Sequence, residues 1–194
     1  MQERVPWWGV VSSAAAAVLL IGGWTVAARL QPAGFDPTSD TISAPASLGA
    51  HDRWVMTTAL AGLGACHVVT ALALRPFPRP GRLLLAAGGV ATVLVAAFPL
   101  PDGDAGSVAH TAAAGVAFVS LSAWPALSWR RGTRRPEPVR PVVALGAAAV
   151  LVGLLGWFAA ELAADDGRVG LAERVAAGAQ ALWPLTAVVA SRRG

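Results

Sequence analysis

The sequence predicts an all-α polytopic integral membrane protein, a compact single-domain bundle of six transmembrane helices with both termini cytoplasmic. Three observations predict it. Hydrophobic residues fill 55% of the 194 positions and charged residues 13%, with a mean hydropathy of +0.58, which is too apolar for a soluble domain of this length. Six stretches can each cross roughly 30 Å of hydrocarbon, and each must be helical to satisfy its backbone in lipid. Eleven of the fifteen arginines fall at one set of span ends.

The spans run over about 7–30, 51–74, 83–99, 106–129, 139–162 and 169–191. The first follows Arg4 and contains "TVAA", which together resemble a secretory signal and cleavage site. An apolar stretch of about 24 residues exceeds the usual signal core of 7–15, so the segment reads as retained. A polar outer loop over 31–50 follows, overlapping "FDPTSDTISAPASLGAHDR" from Phe35 to Arg53. Asp36 before Pro37 starts a turn, and Ser39, Asp40, Thr41 and Ser43 are good caps for a short helical turn. About twenty residues is long for a connector in so small a bundle, which points to a flap. The third span is the shortest. Proline-rich connections, "RPFPRPG" and "RRPEPVRP", cannot continue helices and keep neighbouring spans antiparallel. Runs such as "AGLGA", "LAAGGVA" and "GVAFVSLSA" let helix backbones approach closely. No internal repeat stands out.

Orientation follows from Arg4, Arg75, Arg79, Arg82, Arg130, Arg131, Arg134, Arg135, Arg140, Arg192 and Arg193 at one side. The other side has Arg29, Arg53, Arg168 and Arg174, with nine of the eleven acids: Asp36, Asp40, Asp52, Asp102, Asp104, Glu161, Asp165, Asp166 and Glu173. Arginines are retained on the cytoplasmic side of short loops, so the 31–50 loop should lie outside a multi-pass protein of the inner (plasma) membrane. Trp7, Trp8 and Trp129 at inner boundaries and Trp54 at an outer one agree. A pI near 11.2 does not indicate nucleic acid, because the basic residues are scattered arginines and form no stripe.

Motifs exclude several chemistries: the chain has no HExxH, CxxC, Walker lysine, GxSxG or dinucleotide glycine pattern. Its single cysteine, Cys66, lies in an apolar run and carries no functional weight. What remains is a constellation at the outer ends of spans two, four and six: His51 with Asp52, His110, and Glu173 with Arg174. His110 and Glu173 each lie about one turn inside their helix starts. Positions three and four away offer no partners: Val169, Gly170, Ala176 and Ala177 for Glu173, and Gly106, Ser107, Ala113 and Ala114 for His110. Asp52 likewise sees only Leu48, Gly49, Val55 and Met56. Such groups must meet tertiary partners or end their helices in headgroup water.

Candidate acid or base residues are therefore Glu173, His110, Asp52 and Asp40. Candidate ligand-binding residues are Ser39, Thr41, Ser43, Arg53, Arg174 and Asp102. No metal site or cofactor is assigned: His51, Asp52, His110 and Glu173 could supply the three ligands a catalytic metal wants, but no spacing motif supports it. His67, roughly 22 Å deeper than Asp52 by helix rise, reads as structural and outside that group. Asp102, Asp104, Asp165 and Asp166 sit in the turn and cap sequences "PLPDGDAG" and "ADDG".

The loop "DPTSDTISAPASLG", the "FPLPDG" followed by His110, and "GLAERVAAGAQALW" in the last span together resemble the bacterial membrane family catalogued as domain of unknown function 998. The resemblance covers essentially the whole chain. It rests on Asp40, Ile42 and Ser43; on Phe98, Pro99 and Asp102, with Leu100 and Pro101 looking inserted; on His110; and on Glu173, Arg174 and Trp183. It implies six helices and no established activity. Two functions are then expected: binding of a lipid headgroup or amphiphile at the outer boundary, with Arg53 and Arg174 facing an anionic group, or acid–base or metal-assisted chemistry on a lipid or isoprenoid. A proton-driven transporter would want acids near the bilayer midplane and ranks third. The expected partner is a membrane lipid or isoprenoid-like amphiphile and no nucleic acid; oligomeric state is left open.

Overall fold

The computed structural model describes residues 4–102, 106–130, 137–164 and 167–193. Asp104, Asp165, Asp166, Arg131, Arg134 and Arg135, all used in the sequence reading, lie outside them. Among the described residues the chain is six α-helices and no strand: α1 Trp7–Arg29, α2 Trp54–Ala73, α3 Arg79–Ala97, α4 Val108–Ala123, α5 Pro141–Ala164 and α6 Val169–Arg193. Helices α1 to α5 are long and apolar enough to cross a membrane. At 25 residues α6 is the longest, about 38 Å by helix rise, but Glu173, Arg174 and Gln180 make it less apolar.

Local chemistry sets the helix ends. α2 begins at Trp54, after His51 and Asp52, because Asp52 adopts a left-handed backbone with φ of 47°, which Asp tolerates better than most side chains. α3 begins at Arg79, four residues before the span drawn from the sequence, since Pro80 fits a first turn whose N–H groups have no helical partner anyway. α4 is capped by the Ser107 hydroxyl, which accepts from the His110 amide at 3.3 Å. It stops at Ala123, and Pro125 tightens the continuation into a 3₁₀ turn over Trp124–Leu127. Within α6, Pro184 has no N–H to give the carbonyl of Gln180.

The helices close a ring in chain order. α2 packs between α1 and α3, α4 follows α3, α5 bridges α4 and α6, and α6 returns to α1. α2 and α3 approach most closely at two facing glycines: a Cβ on Gly64 would collide with the Gly89 carbonyl, and one on Gly89 would meet the Gly64 carbonyl at 2.6 Å. α5 is outermost, with only 17% of its apolar span buried. Its Glu161 Oε1 accepts from Trp157 Nε1 at 2.7 Å and pairs with Arg168 Nη2 at 3.3 Å.

The two ends of the ring differ. At the arginine end, Arg192 Nη1 donates to the Val5 carbonyl at 2.8 Å, Arg82 Nε to the Ala71 carbonyl at 2.8 Å, and Phe77 packs on Trp124. At the loop end the 30–53 segment lies over the bundle, tied by Leu48 N–H to the Leu100 carbonyl and by Leu171 N–H to the Thr38 carbonyl, both at 2.9 Å. Two apolar cores fill the interior. The one nearer the loop holds Leu20, Ile42, Met56, Leu60, Leu63 and Val95; the one nearer the arginines holds Val5, Leu74, Phe77, Leu85, Trp124 and Val188. Between them in sequence sit buried Ser12, His67, Thr70 and Thr92, a polar layer at mid-depth.

Candidate functional site

Helical periodicity turns polar side chains of several helices inward. Glu173, Ala177 and Gln180 recur at i, i+4 and i+7 on α6, Leu60, Leu63 and His67 at i, i+3 and i+7 on α2, and Ala114, Ala117, Phe118 and Leu121 share one face of α4. With Leu20 of α1 and Thr92 and Val95 of α3 they enclose a cavity of about 60 Å³, roofed by Ile42 and Ser43 of the loop. That is room for roughly four waters, or a group of a few heavy atoms.

The roof is held by α6. Glu173, 6% exposed, accepts the Ile42 amide through Oε2 at 2.6 Å. Arg174 Nη1 reaches the carbonyls of Pro37 at 2.7 Å, Asp40 at 2.6 Å and Gly170 at 3.0 Å. Two adjacent residues of one helix turn therefore bind the loop backbone by opposite chemistries, carboxylate to N–H and guanidinium to C=O. The acids of the loop serve the loop itself: Asp36 Oδ1 accepts the Thr38 amide at 2.8 Å, and Asp40 Oδ2 accepts the Asp36 amide at 2.7 Å. The Thr38 backbone and side-chain bonds, helped by the Arg174 charge, hold the Asp36 carboxyl below its ordinary value of 3.8.

Deeper in the cavity, Gln180 Nε2 donates to the Phe118 carbonyl at 3.1 Å and to Ser122 Oγ at 2.8 Å, and Thr92 Oγ1 donates to the Gly88 carbonyl at 2.8 Å. His67 is the exception. It is 1% exposed, and neither ring nitrogen has a partner. An imidazole in that position needs water or a ligand, because an unmade hydrogen bond at a buried group costs about 1–3 kcal/mol.

The complete cavity falls inside the one comparison that decides the family: a family model described as a protein of unknown function, DUF998, matches residues 13–190. The chain belongs to the DUF998 family. No curated protein and no solved structure matches it. In this DUF998 bundle, the residues that carried the resemblance spread over the loop end and beyond it. Asp40, Ile42, Ser43, Glu173 and Arg174 form the roof and its clasp. Phe98 and His110 are joined to each other, His110 Nδ1 donating to the Phe98 carbonyl at 2.9 Å. Trp183 packs against the core at the arginine end.

The sequence-derived candidates thus divide. Glu173 and Ser43 line the cavity, and Arg174 holds its roof. Ser39 and Thr41 are half-buried in the loop. His110 is buried but bonds Phe98 across the α3–α4 connection, and among the described residues no hydrogen bond joins it to Glu173. Asp52 is exposed and accepts Trp54 Nε1 at 3.2 Å. His51 is exposed too. Arg53 Nε reaches the Ala46 carbonyl at 3.5 Å, and the exposed Asp102 carboxylate lies against Gly49, where any Cβ would strike it. Among the described residues no group of three or more His, Cys, Asp or Glu gathers as metal ligands. His67, Thr92 and Gln180 also line the cavity and are not among the sequence-derived candidates. The signal was present: Gln180 follows Glu173 by two helical turns. His67 lies deep by helix rise, and it joins Glu173 in one lining because the cavity runs along the bundle axis, with Glu173 and Gln180 about 10 Å apart by helix rise.

Proposed function

We propose that this protein binds a small amphiphile, with the head group in the bundle cavity beneath the loop and the chain leaving between helices towards lipid. The observation that carries this is one cavity holding a buried carboxyl, an unpartnered imidazole and a wall of leucine, valine and phenylalanine under a clasped loop. Ionisable side chains inside a membrane bundle are expensive to keep and mark ligand or ion sites, and pockets of this kind pair an apolar lining with a few polar groups that orient the ligand. The arginine distribution supports the orientation: loop outside, both termini in the cytoplasm, in the plasma membrane of the cell.

Mass spectrometry of the protein purified in nanodiscs should detect a retained amphiphile. Leu60→Trp, which fills the cavity, should lose it while the bundle remains folded. A wild-type protein carrying no amphiphile, or a Leu60→Trp protein retaining it fully, would sink the proposal. A second reading, acid–base chemistry on the same class of molecule, is favoured by Glu173 and His67 lining one cavity. Chemical conversion of added amphiphile that stops in His67→Leu would establish it.

A further inference from the structure

The polar lining of the cavity is one-sided in charge. Glu173 brings a carboxyl, and Ser43 and Thr92 bring hydroxyl oxygens. Thr92 already gives its proton to Gly88, so it presents lone pairs inward. Gln180 has its amide nitrogen engaged by Phe118 and Ser122, which leaves the carbonyl end for the cavity. His67 adds ring nitrogens that no protein group meets. None of the lining residues is an arginine, and the chain contains no lysine. Arg174, next to Glu173 in sequence, turns its Nη1 to the carbonyls of Pro37, Asp40 and Gly170. Arg53 reaches the Ala46 carbonyl instead of the cavity. Both cations that the sequence offered for an anionic group hold loop backbone and neither lines the cavity, although Arg174 keeps a buried Nη2 that no protein group meets.

Resting on the amphiphile reading above, we infer that the head group is a primary amine in its ammonium form. An –NH₃⁺ group has three donors and no acceptor, which complements a carboxylate and surrounding oxygens. It also supplies the charge that a carboxylate buried away from water lacks. A carboxylate or phosphate head in the same place would face Glu173 with like charge and find few donors. A hydroxyl head would satisfy one or two acceptors and leave the charge unpaired. The volume agrees: about 60 Å³ accepts an ammonium and its first methylene groups.

The test compares three ligands of equal chain length, decylamine, decanol and decanoate, by thermal stabilisation of the protein in nanodiscs at neutral pH, each corrected for its effect on an unrelated membrane protein. Decylamine should bind at least tenfold more tightly than either of the others. Glu173→Gln keeps an oxygen for the Ile42 amide and should abolish that preference. Ser43→Ala and Thr92→Val should each weaken decylamine severalfold, which keeps the inference open to test if Glu173→Gln does not fold. Equal binding of all three ligands, or preference for decanoate, overturns the amine assignment and leaves amphiphile binding standing. Binding of none of them overturns both.

Discussion

Glu173 and Arg174 show how one turn of helix can hold a loop without any side chain of that loop taking part. Their lack of side-chain partners on α6 is legible in the sequence. The identity of the loop partners, one amide and two carbonyls, is not, because backbone groups are the same at every residue and leave no compositional trace. The hydroxyls and acids of "DPTSDTIS" look like the obvious partners for the cluster, but Asp36 and Asp40 instead fold the loop on itself. Asp36 gives this arrangement a pH limit. Its folded pKa is depressed, chiefly by its bonds to Thr38, so its contribution is complete above the ordinary value of 3.8 and lost as pH falls through the lowered folded value. Hydrogen exchange at the Leu171 amide, which is bound to the Thr38 carbonyl, should therefore accelerate below about pH 4 relative to its intrinsic rate. In Asp36→Asn the extra acceleration should be absent, and an identical pH profile in the two proteins would remove Asp36 from the clasp.

At the scale of elements, hydropathy locates the helices well and their ends less well. The departures at Asp52, Pro80 and Pro125 each trace to a backbone preference that a hydropathy window does not weigh. Interior packing is legible only as a general richness in glycine, because many glycines look alike in sequence. The structure separates them. Gly64 and Gly89 sit where α2 and α3 backbones touch, whereas nothing lies within 4 Å of a Cβ added at Gly115 or Gly146. Gly64→Ala or Gly89→Ala should force α2 and α3 apart and cost about 1–3 kcal/mol. Gly115→Ala and Gly146→Ala should be neutral or gain up to about 1 kcal/mol from helix propensity. Unfolding midpoints in mild detergent will show the contrast; equal effects at all four positions would mean that the crossing is looser than described.

For the whole molecule, the arginine asymmetry makes a prediction about sidedness. In a Cys66→Ser background, single cysteines at Thr38 or His51, both exposed at the loop end, should react with a membrane-impermeant maleimide added to intact cells. A cysteine at Arg75, exposed at the other end, should react only after lysis. The reverse pattern would place the loop and the cavity entrance in the cytoplasm. What the sequence could not convey at this scale is ring closure, because α6 meeting α1 depends on contacts between the two most distant parts of the chain.

That closure has a temporal meaning. Ile42 and the carboxylate that holds it are 131 residues apart, so at 5–20 residues per second the ribosome makes Glu173 roughly 7–26 s after Ile42. Throughout that interval the cavity lacks the wall that α6 supplies. The loop is among the earliest parts of the site to be synthesised, and the helix that fastens it is the last of the six to emerge.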